Sequence, residues 1–140
     1  MTDNAVYMQK EEAERLIEAT LVANRTSPAN AKSVASALVA AEIDGQAGHG
    51  FSRVASYAAQ ARSGKVDGAA TPVIVHQTAA FASIDAANGF AYPAVDLAID
   101  VLADMTPKAG VAATGIFRSH HCGQLGIHVE RLAEKGLVAL

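Results

Sequence analysis

A chain of 140 residues with 51% apolar and 18% charged side chains has the size and hydrophobic content of one globular domain rather than of a disordered segment. Its net charge of -3, with no local run of Lys or Arg, excludes a field that gathers phosphate backbones, so nucleic acid is not an expected partner. No apolar stretch approaches the roughly 20 residues that span a bilayer, and the opening MTDNAVYMQKEE lacks the apolar centre of a signal peptide, so no membrane partner is expected and the expected compartment is the cytoplasm. The single Cys122 cannot close an internal disulfide, which agrees with a reducing compartment.

In chain order, residues 9–25 carry Ala13, Leu16, Ile17, Thr20, Leu21 and Ala23 at helical spacing, with Glu11, Glu12 and Glu14 where carboxylates suit the helix dipole. Ser27 and Pro28 read as the cap and first position of a second helix that continues through the Ala-rich run to Ile43. Gly45, Gly48 and Gly50 interrupt the pattern, and a third helix is expected from Phe51 to Ala61 with Val54, Tyr57 and Ala58 on one face. Pro72–His76 and Phe81–Asp85 are short, partly β-branched runs that suit neighbouring strands, punctuated by Asn88 and Gly89. Pro93 fits the first turn of a fourth helix, carried by Val95, Leu97, Ala98, Val101 and Leu102 to a break at Pro107. Gly110–Phe117 suits a buried strand and Gln124–Lys135 a fifth helix ended by Gly136. The apolar run Leu137–Leu140 then reads as the first residues of another strand, so a βαβ unit is cut short and the domain is expected to be a piece of a longer polypeptide.

Two segments concentrate polar chemistry. In DGQAGHGFSR, residues 44–53, glycines let the backbone approach a ligand, and His49 and Arg53 lie four residues apart, on one side of a helix that begins near Gly50. An imidazole can hand a proton to a developing alkoxide and a guanidinium can hold a carboxylate through two parallel hydrogen bonds, so the pair suits a 2-oxo acid. The same spacing also suits a capping histidine and a surface arginine at a helix corner. In RSHHCGQLG, residues 118–126, polar side chains follow a strand, the end at which open α/β sheets gather ligands. His120, His121, Cys122 and His128 invite a zinc reading, but no second Cys or carboxylate cluster completes a four-ligand set, and no metal is expected. Cys122 beside two histidines has no assigned base, and simple burial explains it as well as an activated thiolate does. No G-x-G-x-x-G follows a strand, so a Rossmann nucleotide loop is not supported.

Taken in this order, AEIDGQAGHGFSRVASYAAQARSGKV, DAANGFAYPA and GVAATGIFRSHHCGQLGIHVERLAEKGLVAL resemble the malate/L-lactate dehydrogenase family, which includes ureidoglycolate, sulfolactate and diketogulonate enzymes. The family pattern of Ser-His-Gly followed by an arginine falls on Gly48, His49, Gly50 and Arg53, with the serine replaced by Gly48. Its serine-containing turn with His-Phe-Gly falls on Ser119, His121, Cys122 and Gly123, with Cys122 in the aromatic position. The resemblance implies an α/β, non-Rossmann fold of the sulfolactate dehydrogenase kind: N-terminal helices, then part of a mixed sheet with flanking helices. It divides the chain into a helical segment bearing the substrate turn (1–68) and the first part of a cofactor-binding domain (69–140). It further implies NAD or NADP as cofactor and a homodimer, with much of the cofactor-binding part beyond Leu140, so that the fragment alone is expected to be inactive.

The function expected from these residues is hydride transfer between NAD(P)H and a 2-oxo acid such as oxaloacetate or pyruvate. His49 and His121 would be catalytic, His49 exchanging the proton and His121 orienting substrate or nicotinamide, while Arg53 and Ser119 would bind substrate. The alternative from another class is a non-catalytic helical binding or assembly module whose glycine turns only shape a surface.

Overall fold

The computed structural model describes residues 6–140, so the first residues of the MTDNAVYMQKEE segment lie outside the described part. Helix α1 (Lys10–Val22) buries Ala13, Ile17 and Leu21 at i, i+4 and i+8, the single stripe that an amphipathic helix turns toward a core. Ser27 Oγ accepts the Asn30 N–H at 3.3 Å and Pro28 sits in the first turn of α2 (Pro28–Ile43), where a missing N–H costs nothing. Helix α2 is buried on several sides, through Ala31, Val34, Ala35, Leu38, Val39 and Ala41, because it lies between its neighbours. Helix α3 (Val54–Ser63) adds Tyr57, Ala58 and Ala61, and the cluster is completed by Val66, Phe90 and Tyr92 from later in the chain. The buried Asn30 amide ties α2 to the next segment by donating to the carbonyls of Gly68 and Ala70 at 2.9 and 2.8 Å. Leaving those carbonyls unpaired would cost about 1–3 kcal/mol each.

The second half is a three-stranded mixed sheet in the order β1-β2-β3, with β1 (Val73–Gln77) antiparallel to β2 (Phe81–Asp85) and β2 parallel to β3 (Ala113–Phe117). Parallel neighbours need a crossover, and α4 (Ala91–Ala109) supplies it, packing Ala94 and Ala98 on Ile84 and Ala86. Helix α5 (Gly126–Ala133) follows the loop after β3. The fold is therefore α/β, with N-terminal helices followed by a mixed sheet and its flanking helices, as expected. Among the described residues no helix is long and apolar enough to cross a membrane.

Four local expectations shift for identifiable reasons. The third helix does not start as an α-helix at Phe51: residues 47–49 and 51–53 form two short 3-10 turns, and the Glu42 carboxylate accepts the Phe51 N–H at 2.8 Å. The fourth helix runs through Pro107 to Ala109, since only its last turn lies beyond the proline and Gly110, at φ +81, still donates to Thr106 at 2.9 Å. The fifth helix begins at Gly126 rather than Gln124, because the intervening residues are spent on the site loop. Residues 137–140 form no strand; they continue as irregular backbone.

The parallel pairing of β2 with β3 continues past the strands. Ala86 N–H donates to Phe117 O (3.0 Å), Asn88 N–H to Arg118 O (2.7 Å) and His120 N–H to Gly89 O (3.1 Å). Ala87 and Asn88 make this possible by adopting left-handed backbone, at φ 52 and 60. Arg118, itself at φ 49, adds a two-pronged ion pair to Asp85, with its Nε 2.9 Å from Oδ1 and its terminal nitrogen on Oδ2. The guanidinium, joined by the Ala87 N–H, holds the Asp85 carboxyl below the ordinary aspartate range. A group with a depressed native pKa contributes stability that is present above its unfolded value and lost as pH falls through the native one. The urea midpoint of Asp85→Asn should therefore fall below wild type at pH 7, and the gap should close by about pH 2. A gap that persists undiminished in acid would show that the ion pair does not hold this turn.

Candidate active site

Two polar segments that are remote in sequence meet at the joint between the helices and the sheet. The first is the pair of 3-10 turns after α2. Gly50 (φ -100, ψ -131) separates them, and a Cβ there would collide with the Glu42 carboxylate that caps Phe51. The second is the loop between β3 and α5, pinned at its start by Asp85 and the residue 86–89 turn. It is also pinned across the joint, where Gln124 Nε2 donates to Asp44 Oδ2 at 2.7 Å. His128 Nε2–H, from the first turn of α5, donates to Cys122 O at 3.3 Å and holds the middle of the loop.

This closure lays the rings of His49 and His121 over one another, with centroids 5.5 Å apart and planes 11° from parallel. Arg53 lies beside them. Its Nε donates back to Gly48 O at 2.5 Å, and among the described residues no acceptor meets its terminal nitrogens. His49 is half-buried, with an unpartnered Nδ1, whereas His121 and Arg53 are exposed. His121 Nδ1 lies 3.0 Å from the Gly123 N–H and 3.1 Å from the Tyr57 hydroxyl, and the Tyr92 hydroxyl stands 3.3 Å behind that of Tyr57. Partial desolvation and then the positive charges of Arg53 and His49 push the His121 imidazole below its ordinary pKa. Burial raises both tyrosines, Tyr92 strongly, so each phenol keeps its proton and can donate. The arrangement offers proton donors and a cationic fork to a small anion.

The other expected residues separate by environment. His120 turns inward: its Nε2–H donates to Gln60 Oε1 at 3.1 Å and its ring stands edge-on to Tyr57 and Phe90. Burial lowers the pKa of both His120 and His128. The Ser119 hydroxyl donates to the His120 carbonyl at 3.0 Å; with Cys122, Leu125 and Val129 it lines a cavity of about 420 Å³ beside the loop rather than the space around His49. Among the described residues no group of three His, Cys, Asp or Glu side chains converges to hold a metal ion. Sequence reasoning did not find Tyr57, Tyr92 or the Gln124–Asp44 bridge. Tyr57 was legible only as one apolar-face position of α3. The signal that could have marked it is a phenol in an otherwise Ala-rich stripe, whose hydroxyl must find a partner once buried.

Gly123 has φ +69, and a Cβ there would land on the Tyr92 hydroxyl; Gly64, at φ +78, has open space around it. Alanine at either position pays about 1–2 kcal/mol for left-handed backbone. Gly123→Ala should lose at least about 1 kcal/mol more than Gly64→Ala in urea unfolding, since it must also displace Tyr92. Equal losses would remove the tight contact from the account.

Comparison with known proteins gives the arrangement a context. A profile of the malate/L-lactate dehydrogenase family matches residues 8–140. The chain is similar to a Delta(1)-pyrroline-2-carboxylate/Delta(1)-piperideine-2-carboxylate reductase of Pseudomonas syringae pv. tomato, 43% identical over 125 residues, which is 89% of this chain and 36% of that protein. It is 42% identical over 129 residues to a (2R)-3-sulfolactate dehydrogenase (NADP(+)) of Chromohalobacter salexigens, covering 92% of this chain and 38% of that one. The crystal structure of the Pseudomonas syringae delta1-piperideine-2-carboxylate reductase superposes with a TM-score of 0.89 at 38% identity, over 94% of this chain and 40% of that one. Malate dehydrogenase from Pyrococcus horikoshii, at 23% identity and a TM-score of 0.89, shares the fold. The chain thus spans about two fifths of the length of the relatives it matches, and it belongs to the malate/L-lactate dehydrogenase family.

Proposed function

We propose that this chain carries the proton-transfer and carboxylate-binding half of an NAD(P)H-dependent reductase of small 2-carboxylates with a C=N or C=O bond at C2. The observation that carries the reading is the stacked His49–His121 pair with the Arg53 guanidinium beside it. A cyclic 2-imino acid stands first, supported by the 43% identical reductase; a 2-oxo acid stands second, supported by the 42% identical sulfolactate enzyme. Assembly as a homodimer, a cytoplasmic location and the division of the chain near residue 68 into helical and α/β parts belong to the same reading.

In this scheme the terminal nitrogens of Arg53 grip the substrate carboxylate as a fork, which fixes C2 and its heteroatom beneath the imidazoles. His49 gives its proton to the heteroatom at C2 as reduction proceeds and recovers it in the reverse direction, while His121 donates a hydrogen bond that orients the same atom. A bound dihydronicotinamide supplies the hydride. The residues present fit such a ring: the 420 Å³ cavity beside the loop has apolar walls from Ala91, Val95, Leu125 and Val129. Its lining also includes His120 and His128, whose buried Nδ1 atoms meet no hydrogen-bond partner among the described residues. Ser119 lines that cavity as well and is the candidate polar contact there. Gly48, with nothing within 4 Å of where its side chain would start, leaves room above the turn for a ring substrate.

The polypeptide as translated, given NADH or NADPH with Delta(1)-piperideine-2-carboxylate, pyruvate or oxaloacetate, should consume reduced cofactor only when a 2-carboxylate is present. His49→Gln should lower turnover by about a hundred- to ten-thousand-fold, the usual contribution of general acid catalysis, with little change in cofactor binding. Arg53→Lys keeps the charge but loses the fork, so its main penalty should fall on substrate affinity. Near-wild-type turnover in well-folded His49→Gln, or reductase activity indifferent to the carboxylate, would contradict the assignment.

A further inference from the structure

The hydrogen bonds at His121 divide the work between the two stacked imidazoles. A backbone N–H can only donate, so the Gly123 N–H, 3.0 Å from His121 Nδ1, requires a lone pair on that nitrogen. The neutral ring therefore carries its proton on Nε2. The Tyr57 hydroxyl, 3.1 Å from the same Nδ1, must also donate to it, and its own lone pairs are left to accept from the Tyr92 hydroxyl at 3.3 Å. Protonating Nδ1 would set a new N–H against the Gly123 N–H and break that bond, and it would force the Tyr57 hydroxyl to turn from donor to acceptor, away from its arrangement with Tyr92.

We propose that Tyr57, backed by Tyr92, is a positioning residue that works with the Gly123 N–H to hold His121 as a neutral Nε2–H donor, leaving His49 as the imidazole of the pair that exchanges the proton. Tyr57 reaches the substrate only through His121. Its ring is fixed independently of its hydroxyl, by Phe90 at 5.6 Å and by the edge of His120 at 4.9 Å, so the hydroxyl is held in place rather than free to rotate away. The charged and titratable groups that face His121 are His49 and Arg53 from the two 3-10 turns, Tyr57 from α3 and, through it, Tyr92 from α4, with His120 and Cys122 adjoining in its own loop. None is a carboxylate that would favour the imidazolium. The inference deepens the proposed proton-transfer site and rests on it for its purpose, but its readout needs neither substrate nor cofactor.

Nitrogen-15 NMR of histidine-labelled protein provides the test. In wild type the Nδ1 of His121 should be pyridine-like and its Nε2 pyrrole-like. Tyr57→Phe keeps the ring and removes only the donor to the neutral form, so it should raise the His121 titration midpoint by about 0.5–1 pH unit, the equivalent of one hydrogen bond. Tyr92→Phe should move it less and in the same direction, since its hydroxyl acts through Tyr57. A proton on Nδ1 of wild-type His121 would overturn the proposal whatever the variants do, and so would an unmoved midpoint in folded Tyr57→Phe. If the wild-type pattern and the shift appear while His49→Gln retains full turnover, the positioning of His121 stands and the proton-transfer reading is what fails.

Discussion

The contact on which the arrangement depends is the ring-over-ring approach of His49 and His121 at 5.5 Å. Neither residue belongs to a regular helix or strand; each sits on a turn, and the turns are carried by different layers of the fold. An imidazole pair at this distance tolerates little sliding, so both turns must be fixed from several directions. On the helical side, the Glu42 carboxylate caps Phe51 and sets the break between the two 3-10 turns. On the sheet side, three backbone hydrogen bonds and the Asp85–Arg118 pair extend the β2–β3 register into the loop. Between the layers, Phe90 and Tyr92 insert into the helical core, Asn30 bonds to the carbonyls of residues 68 and 70, and Ser33 Oγ donates to Asp96 at 2.5 Å. Sites held on such rigid supports keep catalytic groups in reach without paying to order them at each turnover.

Electrostatics follow from the same geometry. Arg53 is the permanent charge beside the rings, and its field disfavours a second positive charge on His121. A substrate carboxylate entering this space would offset that repulsion, which links anion binding to the protonation of the imidazoles. The paired phenols behind His121 stay neutral through burial and so can only support it through hydrogen bonds. The site is thus cationic at the Arg53 fork, with the His121 imidazole beside it held toward its neutral form, an arrangement suited to a molecule with a carboxylate at one end and a polarisable double bond next to it.

Much of this was legible in the sequence where the causes are local. Ser27 and Pro28 open α2 because a hydroxyl cap and a proline each act within one turn. The alternation of helical and β-branched runs was enough for strands alternating with helices, whereas the mixed sheet came with the family resemblance. The segments bearing His49 with Arg53, and His121, stood out because glycines and polar residues cluster there. What the residues did not reveal depends on partners far along the chain. Glu42 converts the expected start of α3 into 3-10 turns, and residues 137–140 stay irregular backbone. Tyr57 looked like one more core position, since a buried phenol announces itself only when its acceptor is known, and that acceptor lies on the loop after β3. Only the resemblance singled out His121 from the adjacent His120; the physical reason is tertiary, since His120 is taken by Gln60 and the aromatic core, which leaves His121 outward.

In the proposed site His49, Arg53 and His121 act on one small anion. Titrating pyridine-2-carboxylate, a planar ring that carries a 2-carboxylate and is too aromatic to be reduced by a dihydronicotinamide, into isotope-labelled protein tests this without relying on turnover. The ring signals of His49 and His121 and the guanidinium signal of Arg53 should shift together with a single dissociation constant, while the ring of His76, on the exposed edge strand β1, stays still. Shifts confined to one of the three, or equal movement of His76, would contradict it.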